Sequence, residues 1–116
     1  MDNERVYKMA FSKVYPLLLQ KVEKKGRTKD ELNTVIFWLT GYDDAGLEQA
    51  LSQHVSYEAF FEQAPKMHPN AHHITGAICG YRVEEIKEPL MQKIRWLDKL
   101  VDELAKGKKM EKVLRG

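Results

Sequence analysis

The stretch PLMQKIRWLDKLVDELAK at residues 89–106 encodes the longest helix that the sequence predicts. Its apolar residues recur at intervals of four and three, which places them on one side of an α-helix. The members of this apolar stripe are Leu90, Ile94, Leu97, Val101 and Leu104. Pro89 suits a first turn and Gly107 suits a stop. At about 1.5 Å per residue the helix is about 27 Å long, enough to cross a small core.

The spacing of this stripe also fits a coiled-coil seam, which would pair the helix with a second copy. Two observations argue against a seam. Flanking apolar residues widen the stripe to about half of the circumference, and the heptad register continues into Lys108 and Glu111. We therefore expect the chain to wrap its own helix. Any homodimer should form through residues outside the stripe, such as Trp96.

The length of 116 residues predicts one domain over residues 1–116, and a domain of this size buries a core without disulfides or metals. A single cysteine, Cys79, can form no internal disulfide, which favours a reducing compartment. The first residues lack a hydrophobic signal region, and no apolar run is long enough to cross a membrane. We therefore expect a cytoplasmic protein that does not associate with membranes.

Charge is distributed unevenly around a net value of +2. Residues 1–30 carry +4, residues 31–86 carry −6, and residues 87–116 carry +4. Basic ends that pack beside an acidic middle explain this pattern, and so would a basic face for an acidic partner. Neither basic block interleaves arginines with aromatic residues, so binding to nucleic acid is not expected.

The first third of the chain predicts an extended lead-in over residues 4–11 and then a helix. Ser12 has the chemistry of an N-cap, Pro16 would then fall in the first turn, and the helix would run to about Lys25. Thr28 and Glu31 form a capping box that begins the second helix. Gly41 should end that second helix.

Three more short helices follow from cap residues and apolar spacing. Asp43 or Asp44 can begin one and Ser56 another, while Met110 opens a last short helix after Gly107. Together these elements predict an all-α fold, a single small orthogonal or irregular bundle of about five to six helices.

The segment over residues 72–83 is ambiguous between helix and strand. Asn70 could cap a helix, but Gly76 and Gly80 each cost a helix about 1 kcal/mol relative to alanine. The residues TGAICGYRV at 75–83 also alternate as a strand would. A strand has no obvious partner elsewhere in the sequence, so we favour a helix.

Histidines gather near the only cysteine, and this suggests a metal site. His68 and His72 are four residues apart, and Cys79 could supply a soft third ligand. However, Pro69 lies between the two histidines, and the spacing matches no established zinc pattern. We expect no metal and no other cofactor.

Candidate ligand-binding residues are the polar and aromatic side chains near apolar stripes. They are Trp38, Tyr42, Cys79, Arg82, Glu84 and Trp96. Arg82 and Asp98 each need a partner if they are buried, so we expect a structural pair of Arg82 with Asp98 or Glu85. Trp38 and Trp96 could line a pocket, although such residues more often belong to the core.

Several strings resemble the bacterial family called domain of unknown function 2200. They include EKKGRTKDE at 23–31, WLTGY at 38–42, ICGYRVEEI at 78–86 and LDKLVDELAKGKKMEK at 97–112. The resemblance implies a small, mainly helical cytoplasmic protein and assigns no catalytic residue.

The leading functional hypothesis is a non-enzymatic module that binds a protein or a small molecule. The alternative is a small enzyme or ligand-binding protein that uses a Trp-lined cleft around Arg82, Glu84 and Cys79. A deep pocket that gathers these side chains would favour the alternative.

Overall fold

The computed structural model describes residues 3–116, so the first two residues of the predicted domain lie outside the described residues. Within this range the chain forms seven α-helices. They are α1 (Asn3–Lys8), α2 (Phe11–Glu23), α3 (Lys29–Thr40), α4 (Asp44–Ser52), α5 (Tyr57–Glu62), α6 (Pro89–Ala105) and α7 (Met110–Val113). The remaining elements are the strands β1 (Ala77–Ile78) and β2 (Tyr81–Arg82) and the 3₁₀ turns Pro69–His73 and Val83–Glu85. The expected all-α class is confirmed.

The predicted long helix is α6, and the other helices pack around it. Its central side chains Leu97, Leu100, Val101 and Leu104 are completely buried, and α6 contacts α2, α3, α5 and α7. The chain therefore covers the apolar stripe with its own helices, as expected. Trp96 is also buried, so the expectation that it lies at a surface margin available to a homodimer is wrong.

Three predicted helix starts are confirmed by the caps that the structure shows. Thr28 and Glu31 form the capping box of α3, with the Thr28 hydroxyl accepting from the Glu31 amide. Asp43 caps α4 and Ser56 caps α5. Gly41 ends α3 with a φ of 80°, and a Cβ there would lie 2.8 Å from the Lys66 backbone nitrogen. Glycine is therefore required at this close approach.

The start of the chain differs from the expectation. Residues 3–8 form α1 instead of an extended lead-in, and α2 begins at Phe11 without a cap from Ser12. The Ser12 hydroxyl instead lies 2.8 Å from Nδ1 of His54. The Phe11 amide donates to Val55 O at 2.8 Å, so a distant segment satisfies one of the amides that are free at the start of this helix. Pro16 consequently lies in the second turn of α2.

The favoured helix over residues 72–83 is also wrong, because this segment forms an antiparallel hairpin. Ala77 pairs with Arg82 and Ile78 pairs with Tyr81. The partner that the sequence did not reveal is β2, which begins four residues after the start of β1. The 3₁₀ turn before the hairpin is capped by His68, whose Nδ1 accepts from the Asn70 amide at 3.0 Å, and Asn70 caps no helix.

Buried side chains attach the hairpin to the bundle. Ile74 before the hairpin and Val83 after it are completely buried and belong to the hydrophobic cluster to which all seven described α-helices contribute. The Val83 amide donates to Gly76 O at 2.9 Å. The hairpin is therefore held at its base while its turn projects beside α6. Among the described helices, none has the length and apolar character needed to span a membrane.

Candidate ligand cleft beside the hairpin

A cleft of about 500 Å³ opens between the hairpin and the N-terminal half of α6. We call it the hairpin cleft. Its apolar lining comes from Tyr81 of β2, from Ile86 and from Met91 of α6. Tyr81 is 55% exposed, whereas Met91 is buried. The cleft therefore offers an accessible aromatic ring and a more enclosed aliphatic surface, which suits a small molecule with an apolar part.

Three cationic side chains also line the hairpin cleft, namely Arg82, Lys87 and Arg95. Arg82 is partly neutralised, because its Nε and Nη2 each lie 2.9 Å from Glu84 Oε2. Lys87 is exposed, and it makes no ion pair with any residue in the described part of the chain. Positive charge is therefore available at this surface.

Arg95 is the most enclosed of these cations, with its side chain 14% exposed. Its Nη1 donates to Asp98 Oδ2 at 2.8 Å and contacts Cys79 Sγ at 3.5 Å. Its Nε is buried and has no hydrogen-bond partner among residues 3–116. Burial raises the pKa of Asp98, and the Arg95 hydrogen bond opposes that increase.

The carboxylates of the hairpin cleft are largely committed to the protein itself. Glu88 caps α6 by accepting from the amides of Leu90 and Met91, and it also accepts from the Tyr7 hydroxyl. The Tyr7 and Met91 hydrogen bonds lower the pKa of Glu88. Burial and the Glu88 hydrogen bond raise the pKa of Tyr7 to about 12. Glu88 therefore joins α1 to α6 as an ionised acceptor.

The six predicted site residues do not gather in one place. Arg82 lines the hairpin cleft, and two neighbours border it: Cys79 is exposed in the hairpin turn and Glu84 pairs with Arg82. Trp38 stacks on His68 with ring centroids 4.2 Å apart. The structure thus brings Arg82, Cys79 and Glu84 together at the hairpin cleft, and Trp38 does not line that cleft.

The remaining two aromatic candidates belong to the interior. Trp96 is 4% exposed and meets the edge of His72, with ring centroids 5.0 Å apart. The Tyr42 hydroxyl donates to Phe60 O at 2.6 Å. Neither tryptophan lines the hairpin cleft, so the expected Trp-lined cleft around Arg82 is not formed by the described residues.

Of the two expected pairs of Arg82, the one with Asp98 is wrong and the one with Glu85 is confirmed, with Arg82 Nε 4.0 Å from Glu85 Oε2. Arg82 also pairs with Glu84, whereas Asp98 pairs with Arg95, three residues earlier on α6. Arg95 lies outside the apolar stripe that the sequence predicts for this helix. The i, i+3 spacing of Arg95 and Asp98 on one helix was the available signal for this pair.

The histidines are dispersed among separate contacts. His54 contacts Ser12, His68 stacks on Trp38, and His72 meets Trp96. Within residues 3–116, no group of three or more His, Cys, Asp or Glu side chains is placed to hold a metal ion.

The fold defines a small helical bundle with one hairpin beside its longest helix. Residues 5–115 match DUF2200, described as an uncharacterized protein conserved in bacteria, and the chain belongs to this family. A crystal structure titled uncharacterized protein SP1917 is 49% identical, with a TM-score of 0.91, and the match covers 98% of this chain and 93% of that chain. No curated protein matches the chain.

Proposed function

We propose that this protein is a non-enzymatic binding protein that holds a small molecule in the hairpin cleft. The observation that carries this proposal is the composition of one concave surface. A cavity of about 500 Å³ combines the apolar side chains Tyr81, Ile86 and Met91 with cations that lack a full set of partners. Small-molecule sites typically combine such an apolar lining with a few polar groups that orient the ligand.

The contacts around Cys79 support binding over catalysis by the alternative set of Arg82, Glu84 and Cys79. Cysteine catalysis that moves protons needs a general base within hydrogen-bond reach, and the side chain that contacts Cys79 Sγ is Arg95, which cannot accept a proton. Both oxygens of Glu84 are occupied, one by the Gly76 amide and the other by Arg82. Among the described residues that line the hairpin cleft, none is a histidine.

The cellular setting is part of the same proposal. Cys79 is exposed and, as the only cysteine, can form no internal disulfide, which fits a reducing compartment. We therefore propose that the protein is cytoplasmic and that its partner is a small molecule and not a nucleic acid.

The test is a fragment screen read by amide resonances of ¹⁵N-labelled protein. The panel contains neutral, anionic and cationic fragments of similar size. We expect bound fragments to shift the amides of Gly80, Tyr81, Ile86 and Met91 more than others. Tyr81→Ala should weaken binding, because it removes the accessible ring of the cleft. Leu17→Ala is a matched control, since Leu17 is 59% exposed, lies on α2 and does not line the hairpin cleft.

Two results would contradict this proposal. Fragments that bind only at surfaces away from the hairpin cleft would show that the hairpin cleft is not the binding site. Binding that responds equally to Tyr81→Ala and Leu17→Ala would show that exposed apolar side chains attract fragments without a defined site.

A further inference from the structure

We propose that Arg95 recognises a carboxylate group on the ligand, using the edge of its guanidinium group formed by Nε and Nη2. This inference rests on the proposed function and specifies the chemistry of its ligand. The observation that supports it is that the two edges of the Arg95 guanidinium group differ in their hydrogen bonding. Nη1 is engaged by Asp98, whereas the Nε–Nη2 edge has no acceptor among residues 3–116.

The geometry of this edge matches a carboxylate. A guanidinium group presents parallel N–H bonds along the edge, and a carboxylate accepts both at once. A buried polar atom without a partner costs about 1–3 kcal/mol, so Nε gains from any acceptor that reaches it. Nε is shielded from solvent, so a carboxylate reaches it only when the side chains that cover it move. The 2.8 Å bond to Asp98 holds the guanidinium group in orientation.

The other charges at the cleft favour an anion of low charge. Lys87 adds an ammonium group with no ion-pair partner in the described chain. Glu88 is occupied by three donors, and Glu85 is 72% exposed at its side chain. Asp98 and Glu84 partly neutralise Arg95 and Arg82. The remaining positive charge suits a single carboxylate better than a doubly charged phosphate.

The ligand is thus a carboxylate with an apolar body. Its carboxylate lies at Arg95, and its apolar part contacts Ile86, Met91 and the ring of Tyr81. Arg95 provides the specificity for the acid group, while the aliphatic and aromatic lining provides general affinity.

The experiment compares three probes on wild-type protein. They are 4-phenylbutyrate, its neutral isostere 4-phenylbutyramide, and phenyl phosphate. We expect 4-phenylbutyrate to bind about tenfold more tightly than the amide, the ratio that one charge-assisted hydrogen-bond pair supplies. The Nε–H resonance of Arg95 should shift with 4-phenylbutyrate and stay nearly unchanged with the amide. This comparison needs no substitution and so does not depend on a variant that folds.

Variants then separate charge from geometry. Arg95→Lys keeps the positive charge and removes the paired N–H edge, so the preference for the carboxylate should fall to about twofold or less. Arg115→Lys is the matched control, because Arg115 is 15% exposed, pairs with Glu103 and does not line the hairpin cleft. It should keep the wild-type preference.

Three outcomes overturn the inference. Equal affinity of the acid and the amide, with amide shifts at the hairpin cleft, rejects carboxylate recognition and leaves the proposed function standing. Tighter binding of phenyl phosphate assigns the cations to a phosphate. If none of the three probes binds, the inference fails, and the separate fragment screen decides whether the proposed function fails with it.

Discussion

Cys79 occupies a backbone conformation that few side chains favour. Its φ is 51°, and Gly80 beside it has a φ of 82°. Two-residue hairpin turns with positive φ at both central positions favour asparagine or glycine at the first of them. The cysteine therefore carries a local conformational cost in the turn that borders the hairpin cleft.

Replacing Cys79 by asparagine should stabilise the protein. Asparagine tolerates the left-handed conformation better than cysteine, and we expect a gain of about 0.5 kcal/mol in the free energy of unfolding. Urea unfolding of Cys79→Asn and of Cys79→Ala, which lacks the advantage of asparagine, provides the measurement. If both variants lose stability equally, the contact between Cys79 and Arg95 matters more than the turn conformation.

The hydrogen bond from Tyr7 is the largest cause of the lowered pKa of Glu88, so Tyr7→Phe should raise the pKa of that carboxyl group toward its ordinary value of 4.5. A carboxyl whose folded pKa is lowered adds stability above its unfolded pKa, and this stability is lost as pH falls through the folded pKa. The stability lost in Tyr7→Phe should therefore be largest near neutral pH and shrink in acid.

The measurement is a carbon-detected titration of the Glu88 carboxyl together with urea unfolding at several pH values. Tyr42→Phe serves as a comparison, because the Tyr42 hydroxyl donates to a backbone carbonyl, Phe60 O, and not to a carboxylate. A Glu88 pKa that is the same in wild type and Tyr7→Phe would contradict the assigned role of this hydrogen bond.

At the scale of elements, α6 organises the molecule because its apolar stripe lies where several helices meet. It contacts α2, α3, α5 and α7. Arg27, just before α3, adds a polar connection, since its Nη1 donates to the carbonyls of Leu104 and Lys108 at 3.2 and 2.9 Å. The Leu104 carbonyl, in the last turn of α6, also accepts from the Gly107 amide at 3.1 Å, so Arg27 supplies a second donor at this end of the helix.

Leu97→Ala should reduce the free energy of unfolding by about 2–5 kcal/mol. Leu97 is completely buried at the centre of the stripe, so truncation removes apolar contacts and leaves a cavity. Ile94→Ala, one turn earlier, should respond similarly. Leu17→Ala is the control, because Leu17 is mostly exposed and should change stability by less than about 0.5 kcal/mol. Urea unfolding of all three variants tests this; equal small losses would place α6 at a solvent-facing surface.

At the scale of the whole molecule, the two basic ends compensate each other in part. Lys21 of α2 lies 3.4 Å from Asp102 of α6, which links the two basic blocks, whereas Arg115 lies 2.6 Å from Glu103 within the C-terminal block. Among ion pairs of the described residues, Arg27 with Glu31 links a basic end to the acidic middle. Asp102 and Glu103, which belong to the C-terminal block, therefore neutralise basic residues that were expected to lie beside the acidic middle of the chain.

Stability should not depend on protein concentration, because each chain covers its own α6 stripe. We expect the thermal midpoint to stay constant over about a hundredfold range of concentration, since only a stabilising assembly links the midpoint to mass action. Light scattering at each concentration gives the mass in parallel. A midpoint that rises with concentration would show that a homodimer contributes to folding.

Local patterns were sufficient for the elements whose stabilising groups are close in sequence. The four-three spacing defined α6, Thr28 and Glu31 defined the start of α3, and Gly41 defined its end, because each signal acts within one or two helical turns. Family membership also followed from sequence strings. For the candidate site, the sequence identified Arg82 and the neighbouring Cys79 and Glu84.

Tertiary structure decided everything that depends on distant partners. The amide of Phe11 bonds to Val55 O, so α2 needs no cap from Ser12. The hairpin is stable because Ile74 and Val83 are buried in the core. The β-propensities of the hairpin residues do not include the free energy of this burial. Arg95 and Arg82 meet in one cleft because the hairpin folds against α6. Their proximity is a product of packing, and the order of residues along the chain does not encode it locally.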